Sequence, residues 1–330
     1  MAARLLDGAA VAQEIRTEVA PAVAAFTERA GRPPGLGIVL VGDDPASEIY
    51  VRNKLKSAAE AGLRADLQRL SSAARLQDLL AVVEQLNHSE VHDGILVQSP
   101  LPDAMGADAE RRVFDVIRPD KDVDGLHPIN VGHLVQNRAT LVACTPSGVI
   151  ALLERSQVSI AGARAVVIGR SDIVGKPMSL LLLHRHATVT ICHSKTPDLP
   201  DVCATADILV SAIGRPAFVT PSFVKPGAAV VDVGTTQVTD RALVERLFPA
   251  GSKRRDAFDR RGSIVVGDVH PEVASVAGAL SPVPGGVGPL TIAMLLKNTV
   301  TAAQSRATIA GRWDGQERRQ GPERREAAHR

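Results

Sequence analysis

Aromatic side chains are nearly missing from this chain: they make up 2% of its 330 residues, although 45% are hydrophobic. Cores must therefore be built from alanine, valine, leucine and isoleucine, a mix that suits parallel strands covered by helices. Cysteine is scarce too. Cys144, Cys192 and Cys203 are odd in number, far apart and never spaced Cys-x-x-Cys. That excludes a disulfide framework and a structural zinc site, and no other metal site is expected. The three read as buried thiols in a reducing compartment. Neither sign of charge dominates, with 38 basic and 36 acidic residues. A net charge of +2 offers no broad field to nucleic acid or to a membrane surface. Long hydrophobic runs are absent, and residues 1–8 carry no apolar signal segment, so a soluble, cytoplasmic protein is expected.

What the chain does have is alternation of strand and helix signals, at a length sufficient for two domains. Apolar residues recur at Val11, Ile15, Val19, Val23 and Phe26, a helical stripe that contains Pro21. Strands are expected at Leu36–Val41, Leu63–Leu70 and Gly94–Val97, with helices after Asp44 and over Leu76–Leu86, which implies a parallel sheet. Asp44 or Ser47 serves as cap for the first of these helices. A polar loop, Asp120–Gly125, follows a helix near 107–117. The pattern restarts near Pro146, where the domain boundary is placed: 1–145 for the first domain and 146–288 for the second. The second reads as a nucleotide-binding βαβαβ series: Ala165–Ile168, Thr188–Cys192, Ile208–Ile213 and Ala229–Val233 are strands separated by short helices. Residues 238–262 are dense in mixed charge and read as a solvated loop or partial helix without a core, after which Val265 and Val266 resume the sheet. A helix from Pro289 to about 305 returns to the first domain, and residues 306–330 read as a charged, disordered tail.

Three constellations carry chemistry. Tyr50, the only tyrosine, precedes Lys54 by one helical turn, so a phenol and an amine share one face, just beyond the C-terminal end of a strand. Gly169-Arg170-Ser171 to Gly175 follows a strand and opens a helix, the context in which backbone N–H groups cradle a pyrophosphate. The next strand ends in His193, Ser194 and Lys195 rather than in the carboxylate that holds the ribose of NAD, so with Arg170 a 2′-phosphate, and hence NADP, fits better. Third, Asp120-Lys-Asp-Val-Asp124-Gly125 looks like the start of a calcium loop. Its twelfth position is Val131 rather than a bidentate glutamate, so calcium is rejected. Asp124 instead suits a heterocycle with adjacent N–H donors. Gln98, stiffened by Pro100 and Pro102, holds its amide with little freedom. His127 and His133 lack ligand spacing and read as structural.

These residues belong to six motifs in order: Pro45-Ala-Ser with Tyr50-Val-x-x-Lys54-x-Lys56, Gly94-Ile-Leu-Val-Gln98-x-Pro-Leu-Pro102, Lys121-Asp-Val-Asp124-Gly, Cys144-Thr-Pro-x-Gly148, Gly169-Arg-Ser171-x-Ile-Val-Gly175-x-Pro177 and Pro282-Val-Pro-Gly-Gly-Val-Gly-Pro289. Over residues 5–305 the chain resembles the bifunctional methylenetetrahydrofolate dehydrogenase/cyclohydrolase family. The resemblance implies an N-terminal parallel α/β catalytic domain and a Rossmann-type NADP domain with a cleft between them, and usually a homodimer. It implies that Tyr50 stacks on the folate, that Lys54 with Gln98 works at the one-carbon centre, and that Asp124 anchors the pterin. Ser99, Pro284, Gly285, Gly286 and Thr291 are expected to line the folate site. Gly169, Arg170, Ser171, Ser194 and Thr235 are expected to contact NADP. Ser99 stands where the family usually has leucine, and Thr235 where it usually has isoleucine.

The implied reaction passes through a methenyl cation, which a permanent ammonium would repel. A free lysine has a pKa of about 10.4, so a base working near neutrality needs it lowered by ~3 units, roughly 4 kcal/mol. Two other classes share some of these features. Short-chain dehydrogenases also use Tyr-x-x-x-Lys, but after the nucleotide turn, whereas here the pair precedes Gly169. A non-enzymatic NADP-binding module would not need Tyr50, Lys54, Gln98 and Asp124 together.

Overall fold

A computed structural model of the chain describes residues 3–319, without the side chains of Ala46 and of 309–319. The described residues form two compact units, 3–16 with 130–295 and 17–129 with 296–319. β1 (Arg4–Leu5) precedes α1 (Gly8–Ala30), the expected apolar stripe, which carries Pro21 in its interior. The first sheet then follows as β2 (Gly35–Val41), α2 (Pro45–Glu60), β3 (Arg64–Leu70), α3 (Leu76–His88) and β4 (Gly94–Val97). All three strands are parallel, in the order β3-β2-β4. β2 and β4 are buried along their whole length, as continuous apolar runs covered on both faces require. α3 and α4 (Ala109–Val116) cover one face, packing Leu79, Val83 and Val113 against Val39, Ile95 and Val97.

After α4 the expected polar loop is in fact interior. Asp122 bridges to Ile95 in parallel register, and Lys121 is fully buried. The reason is local polar satisfaction: the Lys121 ammonium donates to the carbonyls of Leu86 (2.8 Å) and Ser89 (2.6 Å) at the end of α3. An ammonium there complements the C-terminal helix dipole.

The second unit begins its own series with α5 (Pro128–Val135) and α6 (Cys144–Arg155). It continues as β5 (Arg164–Ile168), α7 (Gly175–Leu183), β6 (Thr188–Cys192), α8 (Leu199–Cys203), β7 (Ile208–Ser211) and β8 (Ala229–Asp232). β9 (Thr236–Val238), α9 (Arg241–Leu247), α10 (Lys253–Arg261) and β10 (Ile264–Val266) follow, then β11 (Ala279–Leu280) and α11 (Val287–Arg319). The parallel sheet has the order β1-β11-β8-β7-β5-β6. β1 and β11 are too short to announce themselves in sequence, yet they extend it by two strands.

Two expectations are overturned here. Val265 and Val266 do not resume the main sheet; β10 pairs antiparallel with β9 as a separate ribbon. Residues 238–262 do form a core, in which Val238, Val244, Leu247, Phe258, Ile264 and Val266 pack together. The charges face outward and pair across the two helices, Arg241 with Asp259 at 2.6 Å and Arg255 with Glu245 at 2.9 Å. α11 runs on to Arg319, and the rest of the tail expected after 305 lies outside the described residues. Among the described residues no helix is long and apolar enough to cross a membrane.

Candidate active site and nucleotide pocket

α2 starts where expected because Asp44 caps it, accepting from the Ser47 N–H at 2.8 Å, and Pro45 fills the first position, where no N–H partner is needed. That start sets the phase of the helix. Tyr50 is 39% exposed, and Lys54, one turn on, is half-buried. The Lys54 Nζ donates to Gln98 Oε1 at 2.9 Å. Gln98 is buried just past β4, its N–H donating to the Val39 carbonyl (2.8 Å) and its side-chain amide to the Ser99 carbonyl. With both ends of the glutamine tied down, the carbonyl oxygen faces the lysine with no freedom to swing.

Asp124 is partly buried in the turn beside β4. It follows the Ile95–Asp122 bridge by two residues, in a turn closed by the Gly125 N–H donating to the Asp122 carbonyl (3.2 Å). The segment is held there by Asn298, which donates to the Val123 carbonyl at 2.9 Å, and by Asp122, which accepts from the His127 N–H at 2.8 Å. Gly125 turns the chain with φ +71°. His127 has a structural role: its Nδ1 accepts from the Ile129 N–H at 3.0 Å.

Pro284, Gly285 and Gly286 form the turn before α11, and the hydroxyl of Thr291, in its first turn, lies 2.9 Å from that of Thr145. All of these belong to the nucleotide unit, so the folate contact expected of them rests on resemblance alone.

In that unit a cavity of about 340 Å³ opens at the C-terminal ends of β5, β6 and β7. Gly169, Arg170, Ser171 and Ser194, all expected at the cofactor, line it. Gly169 sits at φ +129°, and a Cβ there would lie 2.5 Å from the Ala212 carbonyl oxygen, so only glycine allows the turn this close to the next loop. Ser171 Oγ accepts from the N–H groups of Val174 and Gly175 at the start of α7. Beyond β6, the His193 N–H donates to Thr196 Oγ1 (2.9 Å) and the Lys195 N–H to His193 Nδ1 (3.1 Å), a tight turn that presents Ser194 and no carboxylate. Thr235 is exposed in the turn after β8 and is not part of the cavity wall; its neighbour Thr236 donates to the Gly214 carbonyl.

Sequence reasoning missed the carboxylates beneath this cavity. Asp268 is fully buried and accepts from Ser211 Oγ (3.1 Å) and from the N–H groups of Ile213 and Arg215 (both 2.8 Å). Asp232 accepts from the N–H groups of Gly234, Asp268 and Val269, each at 2.9 Å. Burial pushes the Asp232 carboxyl up to about 7, against those three donors and helped by the negative Asp268. A Cβ on Gly267 would fall 1.9 Å from Asp232 Oδ2, so this glycine is what lets the two chains meet. A signal existed: both aspartates stand at or near the C-terminal ends of apolar runs, where α/β proteins place functional groups.

A parallel α/β sheet with a glycine-rich first turn, and with a hydroxyl and cations where NAD proteins carry a carboxylate, defines a dinucleotide-binding protein of the NADP type. Its other α/β unit adds a lysine–glutamine pair at a strand end. Two family domains match the chain: the NAD(P)-binding domain of tetrahydrofolate dehydrogenase/cyclohydrolase over residues 143–307 and its catalytic domain over 6–124. The chain belongs to the tetrahydrofolate dehydrogenase/cyclohydrolase family. It is 55% identical to the bifunctional protein FolD of Koribacter versatilis over 93% of this chain and 98% of that one. Identity to the FolD of Solibacter usitatus is 53%, over 93% and 99%. Among solved structures, the Trypanosoma brucei methylenetetrahydrofolate dehydrogenase-cyclohydrolase, complexed with NADP cofactor and inhibitor, superposes with a TM-score of 0.82 at 40% identity, covering 93% of this chain and 99% of that one.

Proposed function

We propose that this protein oxidises 5,10-methylenetetrahydrofolate to the 5,10-methenyl form with NADP and then hydrolyses that product to 10-formyltetrahydrofolate. The observation that carries the reading is the 2.9 Å hydrogen bond from Lys54 to Gln98, one helical turn from the exposed ring of Tyr50. NADP, when bound, accepts the hydride. Everything else falls to the chain's own groups. Tyr50 offers a flat platform to the folate ring system. Asp124 accepts from the adjacent N–H donors of the pterin, which fixes its orientation. Gln98 holds the Lys54 amine at the one-carbon centre. In the hydrolytic step the neutral amine takes a proton as water adds to the methenyl carbon. The remaining carbinol proton then passes to N5 as the carbon–N5 bond breaks, leaving the formyl group on N10 and one proton released. In the nucleotide unit Arg170 and Ser194 receive the 2′-phosphate, and Gly169 and Ser171 the pyrophosphate.

The protein works as a cytoplasmic homodimer in this reading. β6 is the open edge of the six-stranded sheet, and it exposes Ile191, with Leu183 at the end of α7 also exposed; a second copy would cover both. Three buried thiols outside any disulfide suit a reducing compartment.

Absorbance of the methenyl intermediate, followed with NADP and then with NAD, tests the assignment. Wild-type protein is expected to reduce NADP faster than NAD, and faster turnover with NAD would remove the roles given to Arg170 and Ser194. No reduction of either would favour a binding module without catalysis. Lys54→Met is expected to lose methenyl hydrolysis by at least about 10²-fold while NADP still binds; normal hydrolysis in that variant would take Lys54 out of the mechanism.

A further inference from the structure

The loop after β7 is held more rigidly than a surface loop needs. Its N–H groups at Ile213 and Arg215 both donate to the buried Asp268, that of Ala217 donates to the Gly267 carbonyl (2.9 Å), and Thr236 donates to the Gly214 carbonyl. Two residues in it, Gly214 (φ +64°) and Ala217 (φ +55°), are left-handed. For alanine that conformation is uncommon and costly, and it persists only where the surroundings impose it.

What the loop presents is a cation set over aromatic rings. Phe223, in the core, meets Phe218 edge to face at 5.4 Å between centroids, and the Arg215 guanidinium lies over the Phe218 ring at 4.2 Å from its centroid. Arg215 and Phe218 both line the nucleotide cavity, together with the apolar Ile213 and Leu199. No carboxylate among the described residues pairs with this guanidinium, and the Arg215 side chain is exposed. The guanidinium is supported on a ring and is otherwise exposed.

The geometry points to Arg215 as a further cofactor-binding residue, stacking on the adenine of the dinucleotide while Arg170 and Ser194 take the 2′-phosphate. A guanidinium already supported on an aromatic ring pays little additional conformational entropy when a second flat ring is laid on it. Apolar Ile213 and Leu199 in the same lining suit a purine and not a phosphate. This inference rests on the NADP reading of the site.

Adenosine fragments separate the two roles. With full-length protein, titration calorimetry of 2′,5′-ADP and 5′-ADP reads each dissociation constant. Arg215→Ala is expected to weaken both ligands by the same factor, about 5- to 10-fold. Arg215→Lys, which keeps the charge but loses the plane, should weaken both nearly as much, and Arg215→Trp should restore most of the loss. Weakening of 2′,5′-ADP alone, or full rescue by lysine, would make Arg215 a phosphate ligand and overturn the stacking role; unchanged affinity for both would overturn any role. Failure of the NADP reading is separate, because the wild-type protein would then bind 2′,5′-ADP no more tightly than 5′-ADP. Arg215 is exposed, so its variants are expected to unfold at the wild-type urea midpoint.

Discussion

In the nucleotide unit, the loops beyond β7 and β8 are gathered by two buried carboxylates, Asp232 and Asp268, which between them accept five backbone N–H groups and a hydroxyl. In the folate unit Asp93 and Asp122 are buried carboxylates too, but the largest buried charged side chain is an ammonium, Lys121, and it gathers carbonyls. The two devices are chemical mirror images placed at opposite ends of their sheets. Asp232 and Asp268 sit at the C-terminal ends of the strands, directly behind the ligand cavity. Lys121 sits beside the start of β4, where Ile95 donates to its carbonyl at 2.8 Å, and it closes the C-terminus of α3. The carboxylates behind the cavity are therefore expected to shape the ligand site, and Lys121 to hold the fold.

The largest effect expected from breaking this arrangement is that of Asp268→Ala. It strands two N–H groups and a hydroxyl in the interior, and should cost about 3–5 kcal/mol in urea unfolding and weaken NADP binding at least about tenfold. Unchanged NADP affinity would show that the carboxylate is only structural, as Lys121 is held to be.

Opposite charge also means opposite pH response. The Asp232 carboxyl is raised to about 7, so the stability it contributes is fully present below about pH 4 and is lost as pH rises through 7, on the order of 4 kcal/mol. Lys121 is lowered to about 8, chiefly by burial and then by Arg306 and Arg118, with Asp120 and Asp93 opposing. Its folded form binds fewer protons than the unfolded chain between about pH 8 and 10, so stability there rises with pH. Unfolding followed from pH 4 to 10 should fall on the first limb and recover on the second. Asp232→Asn should flatten the first limb alone; flattening of both would mean the two groups are coupled.

Lys121→Met removes a donor from two buried carbonyls and should cost about 3 kcal/mol while leaving the NADP dissociation constant unchanged. A shift in NADP affinity would erase the distinction between the two ends. Smallest is Asn298→Ala, which frees the Val123 carbonyl next to Asp124. It should cost about 1 kcal/mol and appear mainly as a raised KM for folate, with kcat nearly kept.

Lys121 also marks where sequence reading stopped. Asp120 to Gly125 carries four charges in six residues and reads as solvent-facing, because a window of that size cannot see the helix end and the carbonyls 32 and 35 residues earlier that make burial tolerable. Residues 238–262 failed for a related reason. Their apolar members are spread over two strands and two helices, so no local stretch looks like a core until Val238, Phe258 and Ile264 meet. By contrast α2 was legible in detail, down to Asp44 as one of two candidate caps, since a cap, a proline and an i, i+4 pair all lie within one short window. Gln98 was legible as a stiffened amide, but its acceptor role toward Lys54, 44 residues away, was not.

The sequence by itself determined the alternation of strands and helices, the two α/β units, the phase that puts Tyr50 and Lys54 on one face, and the glycine turn at 169. Each follows from steric and hydrophobic preferences that act over a few residues. Tertiary structure alone decided which charges go inside and what they hold. Asp268 meets Ile213 across 55 residues and Asp232 meets Val269 across 37. Whether an ionised group is buried or solvated depends on partners that only the folded chain brings within hydrogen-bond reach.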